Sequence, residues 1–311
     1  MSIRSLIETY NALDKLDLRV LRLIEIAHAR HRYVPYRLIA RWAEADEEKV
    51  GSSLSKLNKL KLIQREKGPY EGYRLTFGAY DVLALHSLRK MGKLVSISPT
   101  PIGVGKESVV YSGETPSGVK VAVKFHRTGT SSFVKVKKVR SFLGKRRHLT
   151  KLYEARLSAQ AEFTALVTIF DAGGYVPEPV AVNRHVVVMR YVDGVEAYKA
   201  EPVDASSVAE DVLKTVELAL ENGIIHGDLT PYNILIGDKA YVIDWPQWVP
   251  AFHPNAEDIL SRDLLYLERY FSRYGVNIDK DRILDILHNK KYKIININNI
   301  LNNVMKSFTR I

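Results

Sequence analysis

Residues 226–233 read HGDLTPYN, and Asp244 follows Asn233 by eleven positions inside IDW. Asp and Asn favour turns for local reasons, because their short side chains bond nearby backbone. The same residues can also collect oxygen ligands around a metal-bound phosphate. Asp228 can accept a proton from an attacking hydroxyl or orient a water, and Asn233 can give a neutral oxygen to a hard cation. NILIGDKAYVID reads as a hairpin with a Gly237-Asp238 turn, which returns Asp244 to the side of Asn233. One Asn plus one Asp suits Mg2+, which keeps few carboxylates and takes other ligands from phosphate and water.

A phosphate site needs donors as well, and GVGKESVVY supplies candidates. Gly103 and Gly105 allow a tight turn that exposes N–H groups to an anion. Ser108 stands where a third glycine would complete the G-x-G-x-x-G spacing, and its hydroxyl adds a donor. No G-K-[ST] follows, so this is not a Walker loop. Lys124, in VAVKF, lies on an expected strand one strand pair later and can reach back under the turn to phosphate oxygens. Such a lysine needs a carboxylate to hold it. Glu162 is preferred over Glu154, on a helix whose Leu157, Ala161 and Leu166 would face the sheet. Each feature is common alone; the ordered series is not.

The elements that must carry these residues follow from the chain's texture. The 311 residues suffice for two domains with real cores. No run of eighteen apolar residues reads as a membrane span. The start, MSIRSLIETY, lacks the apolar region of a signal peptide. There are no cysteines, which removes disulfides, thiolate metal sites and a Cys nucleophile. We expect a cytoplasmic protein. The net charge of +11 favours polyanions as partners.

Residues 1–92 read as one unit. One helix spans DLRVLRLIEIAHAR, with Asp17 as its N-cap. A second starts at Pro35 and sets Leu38, Ile39 and Trp42 on one face. A third buries Val50, Leu54 and Leu57 and leaves Lys49, Ser53, Lys56 and Lys59 outside. Two short strands around a Gly-Pro turn follow, then a closing helix. This is the order of a winged helix, whose third helix could enter a groove with those lysines on phosphates. Glu71 at the wing tip weakens that reading. ISPTPIG reads as a boundary. Beyond it, three antiparallel strands cover residues 102–127. The last stretch, KKYKIININNILNNVMKSFTRI, is expected to be a helix or a loosely attached tail, and the tail is placed at residues 286–311.

Taken together, GVGKESVVY, HGDLTPYN and IDWPQ resemble the RIO family of atypical kinases. The preceding winged-helix-like unit makes the chain similar to the Rio2 branch, in an archaeal-type, shortened form, over roughly residues 1–285. The resemblance implies an α+β architecture: a winged helix, then a bilobal kinase-like domain over 93–285, with lobes meeting near residues 188 and 189. It further implies ATP and Mg2+, with Mn2+ as a substitute ion. Lys106, Glu107 and Ser108 would belong to the phosphate-binding loop, and Lys124 would pair with Glu162. Met189 would line the adenine pocket, with the main chain of Arg190 and Val192 on the adenine edge. Asp228 would be the catalytic Asp, while Asn233 and Asp244 hold metal. Asp244 would also accept phosphate transiently, making turnover an ATPase switch. The chain departs from the family at Arg190, where an acid is usual, and at Trp245, where Phe is usual.

Departures from ordinary protein kinases sharpen this. Gly227 replaces the Arg that reads a phosphorylated activation loop, and little room for such a loop follows IDWPQ. A peptide-binding lobe is therefore not expected. The basic segment from Lys135 to Lys151 contains no acid, and Phe133 and Phe142 could stack or anchor a nucleic acid. By resemblance the partner is the precursor of the small ribosomal subunit and its RNA. Two other readings remain. HGDL…N…IDW is also the signature of aminoglycoside-type phosphotransferases, and a winged-helix nucleic-acid binder could carry a decayed nucleotide domain.

Overall fold

The computed structural model describes residues 2–68, 70–127 and 150–296. Its first element, α1 (Ile3–Asn11), stands outside the expected order; Ile3 and Leu6 are buried, and Ser2 caps it by accepting the Ser5 N–H. Helix α2 (Lys15–Ala27) corrects the expected cap. Asp14 is the N-cap and accepts the Asp17 N–H at 2.9 Å, while the Asp17 side chain accepts the Asp14 N–H at 3.1 Å. This reciprocal pair satisfies two donors that the first turn leaves open. Asp17 is itself 1% exposed, and Ser53 Oγ and Lys56 Nζ each donate to it at 2.6 Å. Ser53 is thus drawn inward, against expectation, to satisfy a buried carboxylate.

Strand β1 (Val34–Pro35) leads into α3 (Tyr36–Ala43), so Pro35 precedes the helix as its cap residue rather than starting it. Helix α4 (Glu47–Lys59) buries Val50, Leu54 and Leu57 as its spacing requires. The wing strands β2 (Ile63–Lys67) and β3 (Glu71–Leu75) join β1 in the order β1-β3-β2, and α5 (Phe77–Lys90) closes the unit. From α2 to α5 the order of three helices, a hairpin and a closing helix is the expected one, with β1 added to the hairpin and α1 preceding α2.

ISPTPIG, read as a boundary, is strand. It lies within β4 (Ser96–Val104), which pairs with β5 (Ser108–Glu114) and then β6 (Lys120–His126). With β7 (Pro179–Asn183) and β8 (Val186–Arg190) these form one antiparallel sheet, ordered β4-β5-β6-β8-β7. Pro99 and Pro101 are tolerated because β4 is an edge, and the register slips on both sides of Pro101.

The sheet has two dressed faces, which its period of two makes legible. Val121, Val123, Phe125, Val186 and Val188 share one hydrophobic core with the N-terminal helices. Ala122, Val187 and Met189 face the other core, built with α6 (Thr150–Asp171) and the following lobe. The N-terminal unit is therefore not a separate bead: it closes one face of the sheet. Lys124 alternates with Val123 and Phe125 and so turns to the α6 face.

The second lobe contains β9 (Val195–Glu196), α7 (Ala205–Glu221), β10 (Ile224–Ile225), β11 (Ile234–Ile236), β12 (Ala240–Val242), β13 (Val249–Pro250), α8 (Ala256–Phe271) and α9 (Lys280–His288). Residues 245–255 hold only turns and β13 before α8 begins. The room for an activation loop is absent, as expected. Helix α9 crosses residue 286, and residues 297–311 lie outside the described residues.

Candidate active site

Lys124 lies opposite Val110 on β5 and Val187 on β8. Its Nζ donates to Glu162 Oε1 and to Asp244 Oδ1, both at 2.6 Å. Burial alone would lower its pKa, but the Asp244 and Glu162 charges outweigh burial and hold it above the ordinary lysine value. Burial likewise pushes Glu162 upward, yet Lys124 and His126 bring it down to about 2. His126 Nε2 lies 2.7 Å from Glu162 Oε2, off the line of a well-formed hydrogen bond. Helix α6 is fixed next to Glu162 by Trp248, whose Nε1 donates to Ala161 O at 2.9 Å.

The turn after β10 is built by backbone bonds. His226 Nδ1 accepts the Asp228 N–H at 3.2 Å, and its Nε2 donates to Ile243 O at 3.0 Å. A backbone N–H can only donate and a carbonyl only accept, so these bonds specify the Nε2–H tautomer. Gly227 has φ +81°, and a Cβ there would come within 3.1 Å of Gln247 O. A side chain in this place would be strained, whatever its charge.

The Gly227 N–H donates to Asp263 Oδ2 at 2.7 Å, and its carbonyl accepts from Arg262 Nη2 at 2.6 Å. Sequence reasoning missed both residues. Asp263 is buried on α8 beside Leu260, Leu264 and Leu267, and burial raises its pKa. An acid inside the apolar stripe of an amphipathic helix was the available signal.

Asp228 is positioned at this turn with a raised pKa: burial raises it, His226 lowers it, and Asp244 raises it again. Asn233 Nδ2 donates to Asp228 O at 2.8 Å, which fixes the amide so that Oδ1 is the atom left for a cation. Ile243 N–H donates to Asn233 O at 2.9 Å and brings Asp244 alongside. Asp244 has φ 65°, and its side chain is 44% exposed. The hairpin loop between β11 and β12 holds three residues, since Ile236 pairs with Ala240. Gly237 is required there, because a Cβ would meet Asp193 O at 2.5 Å.

The glycine turn joins β4 to β5, the strand next to the one that carries Lys124. Gly105 N–H donates to Ser108 O at 2.9 Å, and Gly103 pairs with Val110. Lys106 is exposed. Glu107 is partly buried, and burial together with the Asp244 charge raises its pKa, which places the turn within electrostatic reach of Asp244. Met189 is buried in the core at the lobe junction. Arg190 N–H is bound to Glu178 O at 2.8 Å. The expected main-chain contact of Arg190 with a base therefore narrows to its carbonyl, with Val192 two residues on.

Trp245 is fully buried, donates through Nε1 to Val242 O at 3.0 Å, and packs 4.5 Å from the His226 ring centre. The indole thus packs beneath the His226–Asp228 turn. The donors present fit Mg2+: one amide oxygen, one partly exposed carboxylate, and room for phosphate oxygens. Among the described residues no cluster of three or more His, Cys, Asp or Glu could hold an ion alone. Two of the α4 lysines expected on phosphates are matched to acids of their own unit, Lys49 to Asp46 at 2.9 Å and Lys56 to Asp17. The basic segment lies outside the described residues except for Lys151. No helix among the described residues is long and apolar enough to cross a membrane.

Comparison with known proteins places the chain in a family. A RIO domain family model matches residues 109–283, and a Rio2 N-terminal family model matches residues 10–91. The RIO-type serine/threonine-protein kinase Rio2 of Methanocaldococcus jannaschii is 36% identical over 270 residues, covering 83% of this chain and 98% of that protein. The serine/threonine-protein kinase RIO2 of Caenorhabditis elegans is 36% identical over 259 residues, 82% of this chain but 49% of the longer nematode protein. The crystal structure of the Rio2 kinase–ADP/Mg2+–phosphoaspartate complex from Chaetomium thermophilum superposes with a TM-score of 0.76 at 30% identity, covering 97% of this chain and 98% of that one.

Proposed function

The chain belongs to the Rio2 branch of the RIO-type serine/threonine kinases, and on that premise we propose that it is an ATP- and Mg2+-dependent phosphotransferase working chiefly as an ATPase switch in small-subunit ribosome maturation. The observation that carries this reading is Lys124, held at 2.6 Å by both Glu162 and Asp244. It places a fixed ammonium between a buried anchor and a solvent-reachable carboxylate, where phosphate oxygens would lie.

In this reading the Gly103–Ser108 turn covers the phosphates, and Met189, Arg190 and Val192 receive the adenine. Asn233 and Asp244 would hold Mg2+, which would neutralise charge on the phosphates. Asp228 would orient or deprotonate the attacking group; its raised pKa makes it a better base than an ordinary aspartate. The Chaetomium relative carries ADP, Mg2+ and a phosphoaspartate. We assign the corresponding acceptor role to Asp244, because it contacts Lys124 and remains exposed to a nucleotide. With no activation loop between Asp244 and α8, a conventional peptide substrate is disfavoured. The basic segment from Lys135 to Lys151 would grip the particle's RNA.

ATP turnover with Mg2+ tests this, for the native chain and Asp228→Ala, with and without small-subunit particles. The variant should lose roughly 10²–10⁴-fold in rate and keep nucleotide binding. Equal rates would remove Asp228 from the mechanism. Rapid phosphorylation of an aminoglycoside would instead establish a small-molecule phosphotransferase. Particle affinity should fall steeply with salt, and neutralising the basic segment should abolish that dependence.

A further inference from the structure

Away from the nucleotide cleft, a cavity of about 490 Å³ opens at the seam between the N-terminal unit and the kinase-like sheet. Its wall carries Lys15, Arg19, Arg22, Lys90, Arg156 and Arg184, and no Asp or Glu. The cations converge from four places. Lys15, Arg19 and Arg22 repeat along one face of α2, Lys90 ends α5, Arg156 is on α6, and Arg184 occupies the turn between β7 and β8. Beneath the wall, the buried Glu25 takes Arg22 and Arg184 at 2.6 Å and Arg156 at 3.7 Å. Arg19 pairs with Glu44. Lys15 and Lys90 have no carboxylate partner among the described residues.

Glu25 and Glu44 together answer only part of these six charges, so the wall stays net positive and favours an anion. The potential is felt nearby: His86, also on the wall, has its pKa lowered by burial and then by Lys90, Arg184 and Arg89. The Asn183 amide adds a neutral N–H donor to the wall, while the Ser87 hydroxyl is committed, donating to Leu83 O and accepting from Arg184. The volume falls within the range of small-ligand pockets, roughly 300–1,000 Å³. We propose that this seam cavity is a second anion site, which binds a phosphate-bearing ligand between the N-terminal unit and the kinase-like domain. The phosphate can come from a free phosphorylated metabolite or from the backbone of an RNA strand. Arg156 lies on the same helix as Glu162, so occupancy touches the element that anchors Lys124.

The test uses the full chain with ADP and Mg2+ saturating the nucleotide cleft. Uridine 5′-monophosphate and a short oligouridylate are titrated by calorimetry against native protein and the Lys15→Glu/Lys90→Glu double variant. Both lysines are exposed, so the fold should hold; should it not, Lys15→Gln/Lys90→Gln carries the same comparison. The expected result is binding to the native chain that weakens at least about tenfold in the variant and falls with salt, while ADP affinity is unchanged. Binding of the monophosphate assigns a free ligand, and binding of the oligonucleotide alone assigns an RNA strand. The proposal is overturned if neither probe binds, or if native and variant proteins bind equally.

Discussion

Glu25 and Glu162 are each 1% exposed, and each is held at a pKa of about 2, yet their partners differ in kind. Glu25 is gripped by Arg184 through Nε at 2.9 Å and Nη2 at 2.6 Å. The same guanidinium also donates to Leu83 O and Ser87 Oγ, both at 3.0 Å, and to Asn183 Oδ1 at 2.7 Å. A planar fork with that many fixed bonds has one arrangement. Glu162 instead holds Lys124, a compact charge on a flexible stem whose second acceptor, Asp244, is partly exposed. The first cluster is a latch between the N-terminal unit and the sheet. The second keeps one partner fully buried and leaves the other open to solvent.

Exchanging the two cations should break this contrast most sharply. Lys124→Arg keeps the charge but not its compact shape, and the displaced guanidinium should slow ATP turnover by on the order of 10²-fold. A turnover assay beside a nucleotide-binding titration checks it; native rates would mean that only the charge matters there. Removing the latch should act on stability instead. Glu25→Gln leaves buried guanidiniums without their counter-charge and should cost about 3–5 kcal/mol in denaturant unfolding, with turnover at 25 °C retained. A parallel loss of turnover in the folded variant would show that the seam and the cleft are coupled.

Acid titration sharpens the comparison further. Both glutamates have folded pKa values below their unfolded ones, so each stabilises the fold at neutral pH. That contribution is lost as the pH falls from about 4.5 to about 2, and linkage sets it at roughly 3 kcal/mol for each group. Unfolding free energies measured across this window should therefore decline steeply, and less steeply in Glu25→Gln. The smallest effect belongs to Trp245→Phe, which strips Val242 O of its donor. We expect about 1–2 kcal/mol of destabilisation by thermal unfolding and a rate within a few-fold of native.

The legible parts of the molecule were those governed by local rules. Lys124 and its face followed from strand alternation, and the pairing with Glu162 from the helix that had to cover that face. The Asn233–Asp244 proximity followed from a hairpin, although its loop holds three residues rather than two. Helix α1 was readable from Ile3, Leu6, Ile7 and Tyr10 at helical spacing, a pattern left unused. Asp17 looked like a cap because it precedes an apolar run; only the fold shows that Asp14 takes that place and Asp17 turns inward to Ser53. Pro99 and Pro101 read as breakers at a boundary, and that they sit inside a strand was hidden because sequence does not reveal which strand is an edge. Asp263 and the Glu25 cluster were hidden for another reason. Their partners lie 36 and 159 residues away, at Gly227 and Arg184, and no periodicity connects such positions.

One bond has consequences for the opening of the cleft. Trp248, in the short stretch after Asp244, holds the carbonyl of Ala161, the residue before Glu162. The two lobes are thereby pinned at the back of the cleft, beside the lysine anchor. Any swing of one lobe against the other must break this indole bond or carry it along, so its strength bears on how freely the back of the cleft can open.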